Sequence, residues 1–335
     1  MTTPVACLGA GRMGRGIAIV FAYAGHPVDL IDFKARSAED FDRLAAESME
    51  EIRETLGMIA RFGLFDGSAV DQIAARVRVV PQADAPAALG RAGVVFEAVP
   101  EVLGLKQKAL ADAQSHMAAD AILASTTSTI LVDDLAPALP RPAQFLNSHW
   151  LNPAFIVPLV EISAGQQTDP EVTARLSALL ESVGKVPVPC AASPGFMIPR
   201  IQQVAMNEAA RMVEEGVATA EDLEKAIRYG FSFRFSVLGL LEFIDWGGGD
   251  ILYHASQYLS KALDNDRYAA PEVIDTNMRE GRIGLKTRQG FLNYEGMDIA
   301  AYREARLSAL MDRLKAEQLA RPPVLDTSTS GAASA

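Results

Sequence analysis

Val5-Ala6-Cys7-Leu8-Gly9-Ala10-Gly11-Arg12-Met13-Gly14-Arg15-Gly16-Ile17-Ala18 is a short apolar run that passes directly into a GxGxxG pattern. A strand that enters a glycine-rich turn and then a helix opens a dinucleotide-binding βαβ unit, and each glycine has its own task there. Gly9 makes the tight turn out of the strand, Gly11 leaves room for a pyrophosphate to reach the backbone, and Gly14 lets the helix pack closely on the sheet. The unpaired N–H groups and positive end of that helix then face the phosphates. A lone GxGxxG also arises by chance in glycine-rich loops, so the residues that follow decide the reading. The helix continues to Ala24, Gly25-His26-Pro27 makes a turn, and Val28-Asp29-Leu30-Ile31-Asp32 reads as a second strand ending on an acid 23 residues after the first glycine. A carboxylate in that place accepts both hydroxyls of an adenosine ribose and repels a 2′-phosphate, which selects NAD over NADP.

The composition fits a soluble enzyme. With 335 residues, 49% of them apolar and 22% charged, the chain can bury a substantial core and divides naturally into two domains. The formal charge of −11 makes nucleic acid a poor partner, since no basic stripe offsets phosphate repulsion. Two cysteines, Cys7 and Cys190, provide neither a disulfide framework nor a thiolate metal site, and no metal is expected. No run of 18 apolar residues reads as a membrane span, and Met1 to Pro4 is too short for a signal peptide. The expected location is a reducing cytoplasm.

Outward from the opening motif, strand and helix alternate. Apolar spacing from Arg36 to Phe65 reads as one long helix or a pair of helices. Strands are expected at Val77 to Val80, Val94 to Glu97, Ala121 to Ala124, Gln144 to His149, Val157 to Ile162 and Lys185 to Pro189, with helices over Glu101 to His116 and Asp169 to Val183. After Pro194-Gly195 the pattern becomes helical throughout, with segments over Thr219 to Tyr229, Val237 to Trp246 and Gly249 to Leu263. The expected organisation is an α/β domain over residues 1–192, a helical domain over 193–320 and a small, polar, disordered tail over 321–335. An apolar helical domain commonly buries a face against a second copy, so a homodimer is expected.

Four histidines are present, His26, His116, His149 and His254. His149 stands apart because it ends a strand, where open sheets hold their ligands, although a strand-end histidine serves structure as readily as chemistry. Glu161 lies in the apolar run Pro158-Leu159-Val160-Glu161-Ile162, where a carboxylate is costly unless paired, and pairing with an imidazole would fix its tautomer. Ser128, in Ser125-Thr126-Thr127-Ser128-Thr129-Ile130, either donates to a substrate oxygen or caps a helix.

These stretches resemble the 3-hydroxyacyl-CoA dehydrogenases, including the short-chain 3-hydroxybutyryl-CoA enzymes, from Val5 to about Tyr294. Matching are Gly9 to Ala18, Phe96 to Glu101 with Lys106, Ala124 to Ile130, His149 to Pro153 with Leu159-Val160-Glu161, Pro194-Gly195-Phe196, Asn207-Glu208 and Gly290 to Tyr294. The resemblance implies a Rossmann-type NAD-binding domain followed by a helical domain that dimerises, with the active site in the cleft between them. It implies His149 as catalytic base, Glu161 as its orienting acid, Ser128 as a substrate contact and Asn152 near the nicotinamide and reacting centre. It also implies Gly9, Gly11, Met13, Gly14, Asp32, Glu101 and Lys106 around NAD, joined there by Ser128 and Asn152.

Three departures fall at the substrate end. Where the family usually has asparagine, this chain has Pro199, which offers neither an amide side chain nor a backbone donor. A family Pro-Met-Gly-Pro loop is replaced by Gly230 to Leu240, which sets Arg234 among Phe231, Phe233 and Phe235. Arg234 calls for an anion, either a substrate carboxylate or a local acid such as Glu242 or Asp245. In the segment from Gly57 to Leu64, Arg61 is the one positive charge left for coenzyme A phosphates. The expected activity is NAD-dependent oxidation of a short-chain 3-hydroxyacyl-CoA. The alternatives are a free hydroxy acid or carboxylated hydroxymethyl compound as substrate, or a non-catalytic NAD-binding protein, against which His149, Glu161, Ser128 and Asn152 stand together.

Overall fold

Strands β1 (Val5–Leu8), β2 (Val28–Ile31), β3 (Val77–Val80), β4 (Val94–Glu97), β5 (Ile122–Ser125), β6 (Phe145–Trp150), β7 (Leu159–Ala164) and β8 (Val186–Ala191) form one sheet in the order β3-β2-β1-β4-β5-β6-β7-β8. All neighbours run parallel except β6 and β7, which are antiparallel. The computed structural model describes residues 2–323. Nearly all of the expected tail, from Leu325 to Ala335, lies outside the described residues.

Both faces of the sheet are covered, which is why β1, β2, β4 and β5 are buried at every position instead of alternating. Helices Arg12–Tyr23, Ala38–Arg61 and Pro170–Ser182 contribute Ile17, Phe21, Ile52, Leu56, Leu176 and Leu180 to one core. Its centre is aromatic: the Phe21 ring lies 5.4 Å from Phe96 and 6.4 Å from Trp150. Truncating Phe96 to alanine there costs about 3–5 kcal/mol. Helices Ala85–Arg91 and Leu103–His116 close the other face with Leu89, Leu110 and Ala113.

Two helices start as their sequences dictate. Ser37 accepts the Asp40 N–H, and Asp169 accepts the Glu171 N–H before Pro170 in the first turn. The expected strand from Val157 starts later, at Leu159, because Ile156 and Val157 donate back to the Pro153 carbonyl in a turn.

The chain divides into two compact units between Met206 and Asn207, inside the helix Ile198–Glu214. The second unit is largely helical, with Ala220–Ala226, Leu240–Gly247, Gly249–Ala262, Glu272–Arg279 and Ile299–Ala316. The helix expected over Thr219 to Tyr229 widens into a π-helical turn at Ile227–Ser232. Two isolated bridges, Gly284 with Gln289 and Gln289 with Asn293, qualify the all-helical expectation. The segment is knotted onto buried Asp245, whose carboxylate accepts the Phe291 and Leu292 N–H groups and the Tyr294 hydroxyl. A Cβ on Gly290 would lie 2.0 Å from Asp245 Oδ1, which explains the glycine. Among the described residues no helix is long and apolar enough to cross a membrane.

Candidate active site

The carboxyl ends of β1, β4 and β5 come level, since Leu8 pairs with Glu97 and Glu97 with Ser125, while β6 runs three residues past Asn147, the partner of Ser125, to Trp150. At the β1 end the glycines behave as their positions require. Gly9 has φ +118°, and a Cβ there would strike the Ala98 carbonyl oxygen at 2.7 Å. A Cβ on Gly14 would fall 1.9 Å from the Gly9 oxygen, whereas Gly11 faces open space, the room a pyrophosphate needs. A cavity of about 690 Å³ lies beyond β2, lined by Asp32, Phe33, Arg36, Leu89, Lys108 and His116. These features leave room for a dinucleotide along the ends of β1 and β2. Met13 packs against the core from the same helix.

Asp32 is buried but not idle. Its Oδ2 accepts from Arg36 Nε at 2.6 Å and its Oδ1 from the Lys34 N–H at 3.2 Å. A neighbouring guanidinium thus shares the carboxylate expected to face an adenosine ribose.

At the end of β4 a buried network forms that motif spacing alone did not single out. Lys106 Nζ bonds Glu97 at 2.8 and 3.1 Å and the Val99 carbonyl at 3.1 Å, while Glu101 lies farther away at 3.3 Å. The main partner of Lys106 is therefore Glu97, a residue quoted in the motif but given no role. Burial pushes the Glu97 carboxyl up, and Lys106 and the Ser125 hydroxyl work against that push. Glu101 is also pushed up by burial, but the Thr127 hydroxyl, Lys106 and the Thr129 hydroxyl outweigh it and hold the carboxyl below its usual range. Its Oε1 also accepts the Ser128 and Thr129 N–H groups at 3.1 and 3.2 Å. Glu101 thus shapes the loop that presents Ser128. Ser128 caps no helix: the next one, Val132–Leu135, starts without a side-chain cap, and it is the Thr127 hydroxyl that closes the loop by accepting the Ile130 N–H at 3.0 Å, leaving Ser128 exposed.

His149 and Glu161 sit directly opposite each other in the β6–β7 ladder, a separation that brings two long side chains into contact. His149 Nδ1 lies 2.7 Å from Glu161 Oε2, with the ring nearly buried and the carboxylate fully buried. The other oxygen, Oε1, accepts the Met197 and Ile198 N–H groups at 2.8 and 2.9 Å. A buried carboxylate against Nδ1 makes that nitrogen the donor and leaves Nε2 with its lone pair. The Phe196 ring covers one face of the imidazole. The other histidines are engaged elsewhere: His26 with the Thr3 carbonyl, His116 with the Asp112 carbonyl and His254 against Tyr253.

Asn152 is exposed just past β6. The turn that follows it is pinned by Lys185, whose ammonium donates to the Ala154 and Val157 carbonyls at 2.5 and 2.9 Å and lies over the Trp150 ring. Burial lowers the pKa of this lysine. Nothing in its spacing marked it, since it lies just ahead of β8, beyond both β7 and the helix Pro170–Ser182.

In the helical unit Arg234 stacks over Phe243 at 5.0 Å and donates to the Gly230 carbonyl. Arg234 is exposed, and among the described residues neither Glu242 nor Asp245 pairs with it. Glu242 is taken by Tyr302, Arg306 and the Gly239 N–H, and Asp245 by the Phe291–Leu292 backbone and Tyr294. Arg61 is exposed in the last turn of its helix, and Pro199 lies in the first turn of Ile198–Glu214. Among the described residues no group of three histidine, cysteine or acidic side chains forms a metal site.

The family model described as 3-hydroxyacyl-CoA dehydrogenase, NAD binding domain, matches residues 4–193, and that of the C-terminal domain matches residues 195–294. The chain belongs to the 3-hydroxyacyl-CoA dehydrogenase family. Among curated relatives of this dehydrogenase is the 5-formyl-3-hydroxy-2-methylpyridine 4-carboxylate 5-dehydrogenase of Mesorhizobium japonicum, 29% identical over 93% of this chain and 97% of that one. A probable 3-hydroxybutyryl-CoA dehydrogenase of Deinococcus radiodurans is 31% identical over 86% and 98%. Among solved structures, a 3-hydroxyacyl-CoA dehydrogenase from Archaeoglobus fulgidus superposes with TM-score 0.76 at 30% identity, covering 95% of this chain and all of that one. The family supports an NAD-dependent oxidoreductase.

Proposed function

We propose that this dehydrogenase oxidises the hydroxyl of a short-chain 3-hydroxyacyl-CoA, of the 3-hydroxybutyryl-CoA type, to the 3-oxo product with NAD. The observation that carries this reading is the buried His149–Glu161 pair, which leaves His149 Nε2 free to accept a proton. His149 takes the hydroxyl proton at Nε2, and Glu161 balances the imidazolium through Nδ1. The nicotinamide, when bound, supplies the acceptor for the hydrogen that leaves carbon with its electron pair. Ser128 and Asn152 orient the substrate oxygen and the ring, Asp32 holds the adenosine ribose, and the backbone around Gly9 to Gly14 receives the phosphates. Glu101 and Lys106 border the nicotinamide side. Proton transfer of this kind contributes about 10²–10⁴ in rate. Arg61 is assigned to the coenzyme A phosphates.

We assign residues 1–192 to the cofactor and 193–320 to substrate and to pairing with a second copy, in a homodimer working in the cytoplasm. Exposed Val217, Ile251, Tyr258 and Leu263 on the helical unit support that pairing. A second reading, a carboxylated alcohol as substrate, is favoured by Arg234, which neither Glu242 nor Asp245 engages, and by the carboxylate named for the Mesorhizobium relative.

A steady-state panel with NAD decides among them, comparing 3-hydroxybutyryl-CoA, its free acid and carboxylated hydroxymethyl aromatics. A thioester preference, with a KM that rises in Arg61→Ala at unchanged kcat, supports the first reading. Preference for a carboxylate replaces it with the second, and NAD binding without turnover on any of them overturns both.

A further inference from the structure

Phe196 adopts a backbone conformation that its side chain disfavours. Its φ is +48°, following Gly195 at +76°, in the left-handed region that glycine enters freely and a bulky L residue does not. The two consecutive left-handed residues turn the chain so that the Met197 and Ile198 N–H groups meet Glu161 Oε1. Were that turn the sole requirement, a second glycine would meet it with less strain. The ring, 6% exposed, instead lies on the His149 imidazole, with centroids 4.9 Å apart and planes 21° from parallel.

We propose that Phe196 is a positioning residue for the proton-accepting histidine: its ring fixes the imidazole plane and offers its π face to the imidazolium that forms when Nε2 takes the substrate proton. The inference rests on His149 acting as base, as proposed above. Among the described residues, Glu161 on β7 is the acid bonded to the ring, at the Nδ1 edge. The segment Pro194 to Ile198 contributes only the phenyl ring and the two amides. On β8, the Cys190 thiol is pushed up by burial and by the Glu161 charge, so it stays protonated. Among the described residues no lysine or arginine is bonded to His149 or Glu161. A face-on aromatic ring is attracted to such a cation, and the attraction grows when both are out of water. One single turn thus serves both edges of the charge relationship, amides holding Glu161 and a ring covering His149.

The test compares Phe196→Leu, Phe196→Gly and Phe196→Tyr with wild type and with His149→Gln, using the full-length protein. Leucine fills the space without a π face and is expected to lower kcat about 3- to 30-fold, with the Kd for NADH unchanged. Glycine relieves the backbone and should lose at least as much, an outcome opposite to that of a residue needed only for the turn. Tyrosine keeps the face and should restore kcat to within about twofold. Independently of turnover, the imidazole proton resonances of His149, identified by their disappearance in His149→Gln, should be displaced upfield by the stacked ring. That displacement should persist in Phe196→Tyr and vanish in Phe196→Leu. Wild-type kcat in Phe196→Leu or Phe196→Gly, alongside an inactive His149→Gln, overturns the inference, as does an undisplaced His149 resonance in the wild-type protein. An active His149→Gln instead overturns the functional reading beneath it.

Discussion

Replacing Glu161 with glutamine removes one charge and almost no volume, yet the hydrogen bonds around it predict a large effect. The carboxylate uses both oxygens: Oε1 for the Met197 and Ile198 N–H groups, Oε2 for His149 Nδ1. An amide has one accepting end and one donating end. If its oxygen keeps the two backbone donors, its NH₂ faces Nδ1 and forces that nitrogen to become the acceptor. The ring proton then moves to Nε2, the atom that must receive the substrate proton. If the amide turns round, two buried N–H groups lose their acceptor, at about 1–3 kcal/mol each. That total of roughly 2–6 kcal/mol exceeds what a neutral imidazole gains from choosing its tautomer, so the first arrangement wins. Glu161→Gln should therefore lose about 10²–10⁴ in kcat, close to the loss in His149→Gln, although residue 161 never meets the substrate. The assay is steady-state oxidation at saturating NAD, with NADH affinity followed by fluorescence to show that the cofactor site is intact. A folded Glu161→Gln protein keeping more than about a tenth of wild-type kcat would falsify the tautomer argument.

NADH should bind at least about tenfold more tightly than NADPH, and equal dissociation constants by fluorescence titration would contradict the role given to Asp32. Asp32→Ala should narrow the difference, and Arg36→Ala should widen it, since Arg36 now offsets part of the repulsion felt by a 2′-phosphate. Lys185→Met should lower kcat more than it raises the KM for NAD, by loosening the turn beside Asn152. A fall in melting temperature with unchanged kcat would reduce Lys185 to a structural anchor. For Arg234→Lys, activity on a carboxylated substrate should drop while activity on an acyl-CoA holds, because an ammonium lacks the two-donor fork. Equal effects on both would remove Arg234 from the substrate question. Glu101 has a lowered pKa in the fold, so its stabilisation is present above the unfolded value of about 4.3 and is lost as pH falls through the folded one. Glu101→Gln should accordingly cost stability at pH 7, and the cost should shrink as pH is lowered below the unfolded value, measured by denaturant unfolding across that range.

The opening glycines, the buried parallel strands and the helix caps could be read from the sequence because each is a local device. The spacing of Gly9, Gly11 and Gly14, or of Asp169 and Pro170, leaves one conformation clearly favoured. His149 was found by its place at a strand end and Glu161 as a carboxylate in an apolar strand, and the ladder register then explained their meeting. What escaped were side-chain partnerships, whether made between neighbouring elements or between distant ones. Lys106 prefers Glu97 to Glu101, Lys185 reaches back to Ala154, and Asp245 gathers a segment more than forty residues later. Spacing carries no trace of such pairings, because they depend on which elements become neighbours in the fold. Phe196 escaped for another reason: in Pro194-Gly195-Phe196 an aromatic residue reads as core, and its left-handed backbone cannot be read from its name.

The antiparallel β6–β7 pair makes the proposed base and its orienting acid the two ends of one rung of a single hairpin, twelve positions apart in sequence. Backbone hydrogen bonding across that hairpin, and not the length of the connection between its strands, decides that the two side chains meet. Residues added to or removed from the connection after Asn152 can reshape the wall around a substrate without separating the pair. A slip of one position in the strand pairing would send both side chains to opposite faces of the sheet. New substrate preferences can thus arise by changing loop length, while the proton-handling pair is inherited unaltered.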